Sequence, residues 1–168
     1  MSTPSFVVAV PLLAIVAVAT FSDLRTRRIP NALSLGGAAF GLLVNAVNFG
    51  TPGVIAAVLG WSLCLACFLP LYFVGGTAAG DVKLIATVGA FVGPLNGFLA
   101  CAVTLAAGAT LGTLCMAWRS YVTRLVPHQA EIRTLDKIPY AGAIAVGAFA
   151  AVVQPSWLAA VVIPWEAQ

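Results

Sequence analysis

The sequence predicts an all-α, polytopic membrane helical bundle, and three observations carry that prediction. The chain is 61% hydrophobic and only 8% charged over 168 residues, with a mean hydropathy of +1.05. A soluble domain of this length needs a polar outer surface, whereas lipid accepts apolar side chains on every outward face. Six apolar runs follow one another, at roughly Phe6 to Phe21, Ala32 to Phe49, Val54 to Val74, Val82 to Val92, Leu95 to Trp118 and Pro139 to Ile163. All eight basic residues fall on alternate connections between these runs. No segment alternates polar and apolar residues as a membrane barrel strand would, and backbone groups in hydrocarbon need internal partners, which leaves the helix.

Each element has a local reason. The longer runs approach or exceed the ~20 residues that span a bilayer. The first run has no basic residue before it and no A-x-A-like site after it, so it is expected to remain as a helix and not to leave as a signal. Pro30-Asn31 opens the second run, with the proline ring where a helix needs no N–H. The fourth run is short and is expected to be tilted, thinned over or packed inside the bundle. Stretches such as Gly36-Gly37-Ala38-Ala39 and Ala106-Ala107-Gly108-Ala109 permit the close backbone approach on which packing in lipid depends. Tyr121 to Val126 mixes apolar and basic residues and reads as an interfacial segment or a solvated loop before Pro127. A single domain over residues 1–168 is expected, with about six transmembrane helices.

The charges orient this bundle. Arg25, Arg27 and Arg28 occupy the first connection, Lys83 the third, and Arg119, Arg124, Arg133 and Lys137 the fifth. The second connection, around Gly50 to Gly53, and the fourth, around Gly93-Pro94, carry none. The positive-inside rule makes the basic side cytoplasmic and places both termini outside. A net charge of +3 is too small to suggest a nucleic-acid partner. Cys64 and Cys67 form a C-x-x-C inside an apolar run, and Cys101 and Cys115 stand singly in another. Zinc and redox motifs place thiolates in polar, reachable loops, so these read as small buried hydrophobes and no metal site is expected.

Two acids stand out against this apolar background. Asp23 ends the first run, where it adds nothing to a positive-inside signal, and Asp81 follows the side-chain-poor stretch Gly75-Gly76-Thr77-Ala78-Ala79-Gly80. Capping explains part of the second case, because an acid in a first turn accepts N–H bonds and favours the positive helix end. Ser or Thr would cap equally well, and glycine-rich backbone also lets an extended peptide approach Asp81. The one-sided basic residues put both acids at the same face. Two carboxyls within reach of one water can divide the work of hydrolysis, one taking a proton and the other donating one, with no metal required. Lys83 reads as an interfacial anchor or as a partner of Asp81. Pro139 and Tyr140 suit the start and headgroup level of the last helix.

Asp23 with Arg28-Ile29-Pro30-Asn31, then Gly80-Asp81-Val82-Lys83-Leu84, then Ile138-Pro139-Tyr140 together resemble the type IV prepilin peptidase family, in the short form that serves Flp-type (Tad) pili. The likeness runs through nearly the whole chain in order, length and hydropathy. It implies a GxGD-class aspartic protease in the bacterial cytoplasmic (inner) membrane, with Asp23 and Asp81 as the catalytic pair. Gly80, Lys83, Arg28, Pro30, Asn31 and Pro139 would bind substrate or support the site. It further implies a prepilin substrate with a short basic leader, a pilus assembly or secretion machinery as partner, and no cofactor. Longer members that also methylate carry an extra cytoplasmic region with paired cysteines, which this short form lacks. One departure is visible: the first glycine of the motif is Ala78 here, which adds a methyl and restricts positive φ. Two other classes compete. A proton-coupled transporter would want acids near the midplane and repeat symmetry, and a non-enzymatic assembly subunit would have replaceable acids.

Overall fold

A computed structural model describes residues 6–26, 30–125 and 140–153. Arg27, Arg28, His128, Arg133, Asp136, Lys137 and Pro139 lie outside the described residues. So does the last expected run beyond Val153. Among the described residues the chain is all helix, with α1 over Phe6–Thr26, α2 over Asn31–Phe73, α3 over Ala79–Leu125 and α4 over Tyr140–Val153. The sequence predicts separate runs where the structure has the long helices α2 and α3. The difference sits at Gly50 and Gly93, the only non-helical residues inside them, at φ 62° and 78°. Proline follows at Pro52 and Pro94, so a left-handed glycine and a missing N–H break each helix within a residue or two. At the far end of α3 the helix continues through Tyr121 to Leu125, so of the two readings of this stretch the loop does not hold over those residues.

Each break reverses the chain. A Cβ on Gly53 would run into the Asn45 carbonyl and the Phe49 side chain, and one on Gly97 would come within 3.3 Å of the Gly89 Cα. The first halves of α2 and α3 therefore run side by side in the same direction. Lys83 meets Asn31, Thr87 donates to the Ser34 carbonyl at 2.7 Å, and Asn45 donates to the carbonyls of Ala90 and Phe91 at 3.0 and 3.1 Å. Gly41 lies against the Phe91 ring. This contact sequence puts the starts of α2 and α3 at one end of the bundle and Gly50 and Gly93 at the other.

The short fourth run proves to be the pillar. Leu84, Ile85, Ala86, Thr87 and Val88 are all 0% exposed, so the first half of α3 is enclosed on every side, as packing inside the bundle requires. Small residues make that enclosure possible. A Cβ on Gly60 would collide with the Gly89 carbonyl and the Gly93 backbone, and one on Gly147 of α4 would collide with Thr104 and the Ala100 carbonyl. Large apolar side chains point outward instead, with Val47 76%, Leu114 66% and Met116 72% exposed. A surface of that kind is stable only against an apolar solvent.

Asn45 solves a problem that the pillar creates. The Ala90 carbonyl would bond the N–H four residues on, but that residue is Pro94, which has none. The Asn45 amide, 7% exposed, supplies the donor from α2 and reaches Phe91 as well. Two buried carbonyls at the break are thereby satisfied.

Candidate active site

The loop before Asp81 is built by a helix stop and a helix start. Gly75, at φ +81°, takes the left-handed position after α2. Its N–H donates to the Tyr72 carbonyl at 3.0 Å, and the Gly76 N–H donates to the Leu71 carbonyl at 2.8 Å. Those two bonds are the Schellman pattern, so the paired glycines end α2. The need for positive φ in this stretch falls at Gly75 and not at the departing motif position Ala78. Ala78 caps α3, accepting the N–H of Asp81 at 3.0 Å and of Val82 at 3.3 Å.

Asp81 itself sits in the first turn of α3, with Gly80 half-buried beside it. Its Oδ2 accepts the Ala78 N–H at 3.2 Å, which is the side-chain half of a capping box. The carboxyl is 6% exposed, an expensive position for an acid in an apolar bundle. Asp23, half-buried, lies in the last turns of α1, eight residues before Asn31 opens α2. Two acids far apart in sequence are thus brought to one end of the bundle. The Thr20 hydroxyl fixes that end of α1, donating to Val16 at 2.8 Å and reaching the Ala141 carbonyl of α4 at 3.4 Å.

The supporting residues divide into those that meet and those that do not. Lys83 does not pair with Asp81; its Nζ donates to the Asn31 Oδ1 at 3.0 Å. That bond ties the start of α3 to the start of α2. Pro30 is the N-cap of α2, in extended backbone at φ −60° and ψ 132°, and its carbonyl accepts the N–H of Leu33 at 3.0 Å and Ser34 at 3.4 Å. The predicted site residues Arg28 and Pro139 lie outside the described residues. Beside the loop, Phe73 and Val74 form an apolar lip, 76% and 86% exposed.

Sequence reading passed over Thr77. Its hydroxyl oxygen is buried without a hydrogen-bond partner, and its only signal in the sequence is being the one polar side chain in a glycine and alanine stretch. Among the described residues no group of three or more His, Cys, Asp or Glu is placed to hold a metal.

Residues 10–119, which include both acids and end before α4, match the type IV leader peptidase family. The chain belongs to that family, a family of proteases. No curated protein and no solved structure matches it. The helices Asn31–Phe73 and Ala79–Trp118 are long and apolar enough to cross a membrane, and with the family they make this a membrane protein.

Proposed function

We propose that this chain is a membrane aspartic endopeptidase that removes the short basic leader from Flp-type prepilins at the cytoplasmic face of the bacterial inner membrane. The observation that carries the reading is the buried Asp81 in the first turn of α3, at the end of the bundle to which the last turns of α1 bring Asp23. The ionised partner takes a proton from a water, the resulting hydroxide attacks the scissile carbonyl, and the neutral partner donates to the carbonyl oxygen. Positioned at one end of the bundle, the two groups supply acid and base in one step.

Topology supplies the substrate logic. The basic residues at this end make it the cytoplasmic side under the positive-inside rule, with about six crossings and both termini outside. A precursor with a basic leader in the cytoplasm and an apolar helix in the bilayer presents its scissile bond at that interface. The exposed Phe73 and Val74 offer an apolar lip beside Asp81 along which such a helix can lie. Gly80, Lys83, Pro30 and Asn31 support the site, and Arg28 and Pro139 complete its rim in this reading. The cleaved pilin then passes to the assembly machinery.

The test is co-expression with a prepilin from the same genome, followed by mass measurement of the pilin. Loss of the leader mass only when the chain is present supports the reading; an uncut precursor beside a well-expressed chain contradicts it.

A further inference from the structure

Thr77 is set apart from the rest of its loop. Gly75, Gly76, Ala78 and Ala79 are exposed, whereas Thr77 is half-buried and its hydroxyl oxygen is sealed from solvent with no hydrogen-bond partner. Helical hydroxyls avoid that condition by donating to a carbonyl one turn back, as Thr20, Ser34 and Thr87 do. Thr77 falls between the end of α2 at Phe73 and the start of α3 at Ala79, where no helical carbonyl takes its proton. Among the described residues only the Thr104 hydroxyl shares this lack of a partner. Thr104 is 0% exposed and packed against Gly147 of α4, closed to any ligand, whereas Thr77 stands in a loop that is open on both sides of it. A buried hydroxyl without a bond is destabilising, so its presence beside a reacting group calls for a partner that arrives from outside.

The peptide bond that follows Thr77 carries the Ala78 N–H, which donates to Asp81 Oδ2 at 3.2 Å. Bond lengths and angles keep the Thr77 hydroxyl within about 5 Å of that nitrogen, and hence within about 8 Å of the carboxylate. An extended peptide advances ~3.3–3.6 Å per residue, so this distance corresponds to about two residues of substrate. Resting on the peptidase reading, we propose that Thr77 is a positioning residue whose hydroxyl donates to a main-chain carbonyl of the substrate near the scissile bond. A turn about χ1 exchanges its hydroxyl and methyl between staggered positions and brings the oxygen to the open side of the loop. There it meets a peptide that the side-chain-poor Gly75-Gly76 backbone lets approach. The hydroxyl keeps its proton throughout; its bond fixes which peptide carbonyl faces Asp81.

The test is the cleavage kinetics of the full chain in detergent on a synthetic peptide spanning the leader junction of a prepilin from the same genome. Thr77→Val keeps the shape of the side chain and removes the donor. Its KM should rise about tenfold while kcat stays within about twofold, the pattern of a lost binding contact. Thr77→Ser keeps the hydroxyl and should stay within about twofold of the unaltered chain in both constants. Unfolding in mixed detergent should come no earlier for Thr77→Val, because a methyl replaces a hydroxyl that has no partner in the free protein. A Thr77→Val chain with unaltered KM, one that unfolds early, or a Thr77→Ser chain as weak as Thr77→Val overturns the proposal and leaves the peptidase reading standing. An unaltered chain that leaves the peptide uncut overturns both.

Discussion

Lys83 Nζ donates to Asn31 Oδ1 across 3.0 Å, and this exposed bond joins the starts of α2 and α3 at the end of the bundle that carries the candidate site. Asn31 follows the connection that leaves Asp23, while Lys83 lies two residues beyond Asp81. The bond therefore holds together the end of the bundle from which Asp81 projects. Lys83→Met and Asn31→Ala should each lower the rate of precursor cleavage about three- to tenfold, equivalent to roughly 0.7 to 1.4 kcal/mol. The double variant should be no slower than either single one, because one contact is removed in all three. Asn31→Asp should restore the rate by pairing with the lysine. Losses that add in the double variant would show independent roles.

Ala78 stands where the motif has glycine, yet the left-handed backbone of this loop is at Gly75. Ala78→Gly should therefore leave cleavage unchanged within about twofold, with no more than a few tenths of a kcal/mol gained in capping. Gly75→Ala, in contrast, forces a side chain into positive φ and should destabilise the end of α2 by about 1 kcal/mol. Paired measurements of cleavage and of unfolding in mixed detergent separate the two positions. A large gain in activity from Ala78→Gly would mean that the methyl obstructs the site.

Asn45→Leu keeps the size of a buried side chain and removes the donor that serves Ala90 and Phe91. The Ala90 carbonyl, freed by Pro94, and the Phe91 carbonyl beside it then lose this donor, at a cost of about 1–3 kcal/mol. Asn48 is the internal control, since it is exposed and bonds only to Val44 of its own helix at 2.7 Å among the described residues. Asn48→Leu should cost well under half of that. Equal effects of the two changes on detergent unfolding would remove Asn45 from its capping role.

The extent to which this architecture can be read from sequence depends on the feature. Apolar runs show the helices directly, and Gly50 with Pro52 and Gly93 with Pro94 show where they break, because positive φ and a missing N–H are properties of single residues. The shortness of Val82 to Val92 points to a segment inside the bundle, where lipid thickness no longer sets length. Pairings across α2 and α3 are different in kind. The contact of Gly60 with Gly89 fixes the crossing, but many other glycines in the chain look the same. Hence sequence points Lys83 to the interface or to Asp81 and not to Asn31. Gly75 and Gly76 were read as an opening for a peptide, whereas their first task is to stop α2. The acids were legible because charge is scarce in an apolar chain; the Ala78 N–H on Asp81 was not, because capping geometry exists only once α3 has begun.

If Asp23 and Asp81 act as one acid–base unit, pilin mass after co-expression with Asp23→Asn or Asp81→Asn registers the loss of either. Asparagine keeps the size and the accepting oxygen, so the Ala78 contact survives and any stability loss stays near 1 kcal/mol or less. It cannot exchange the required proton. Each single variant should leave the precursor uncut at normal expression in the membrane, and the double variant should be no worse than either. Cleavage at the ordinary rate by either Asn variant would contradict the account.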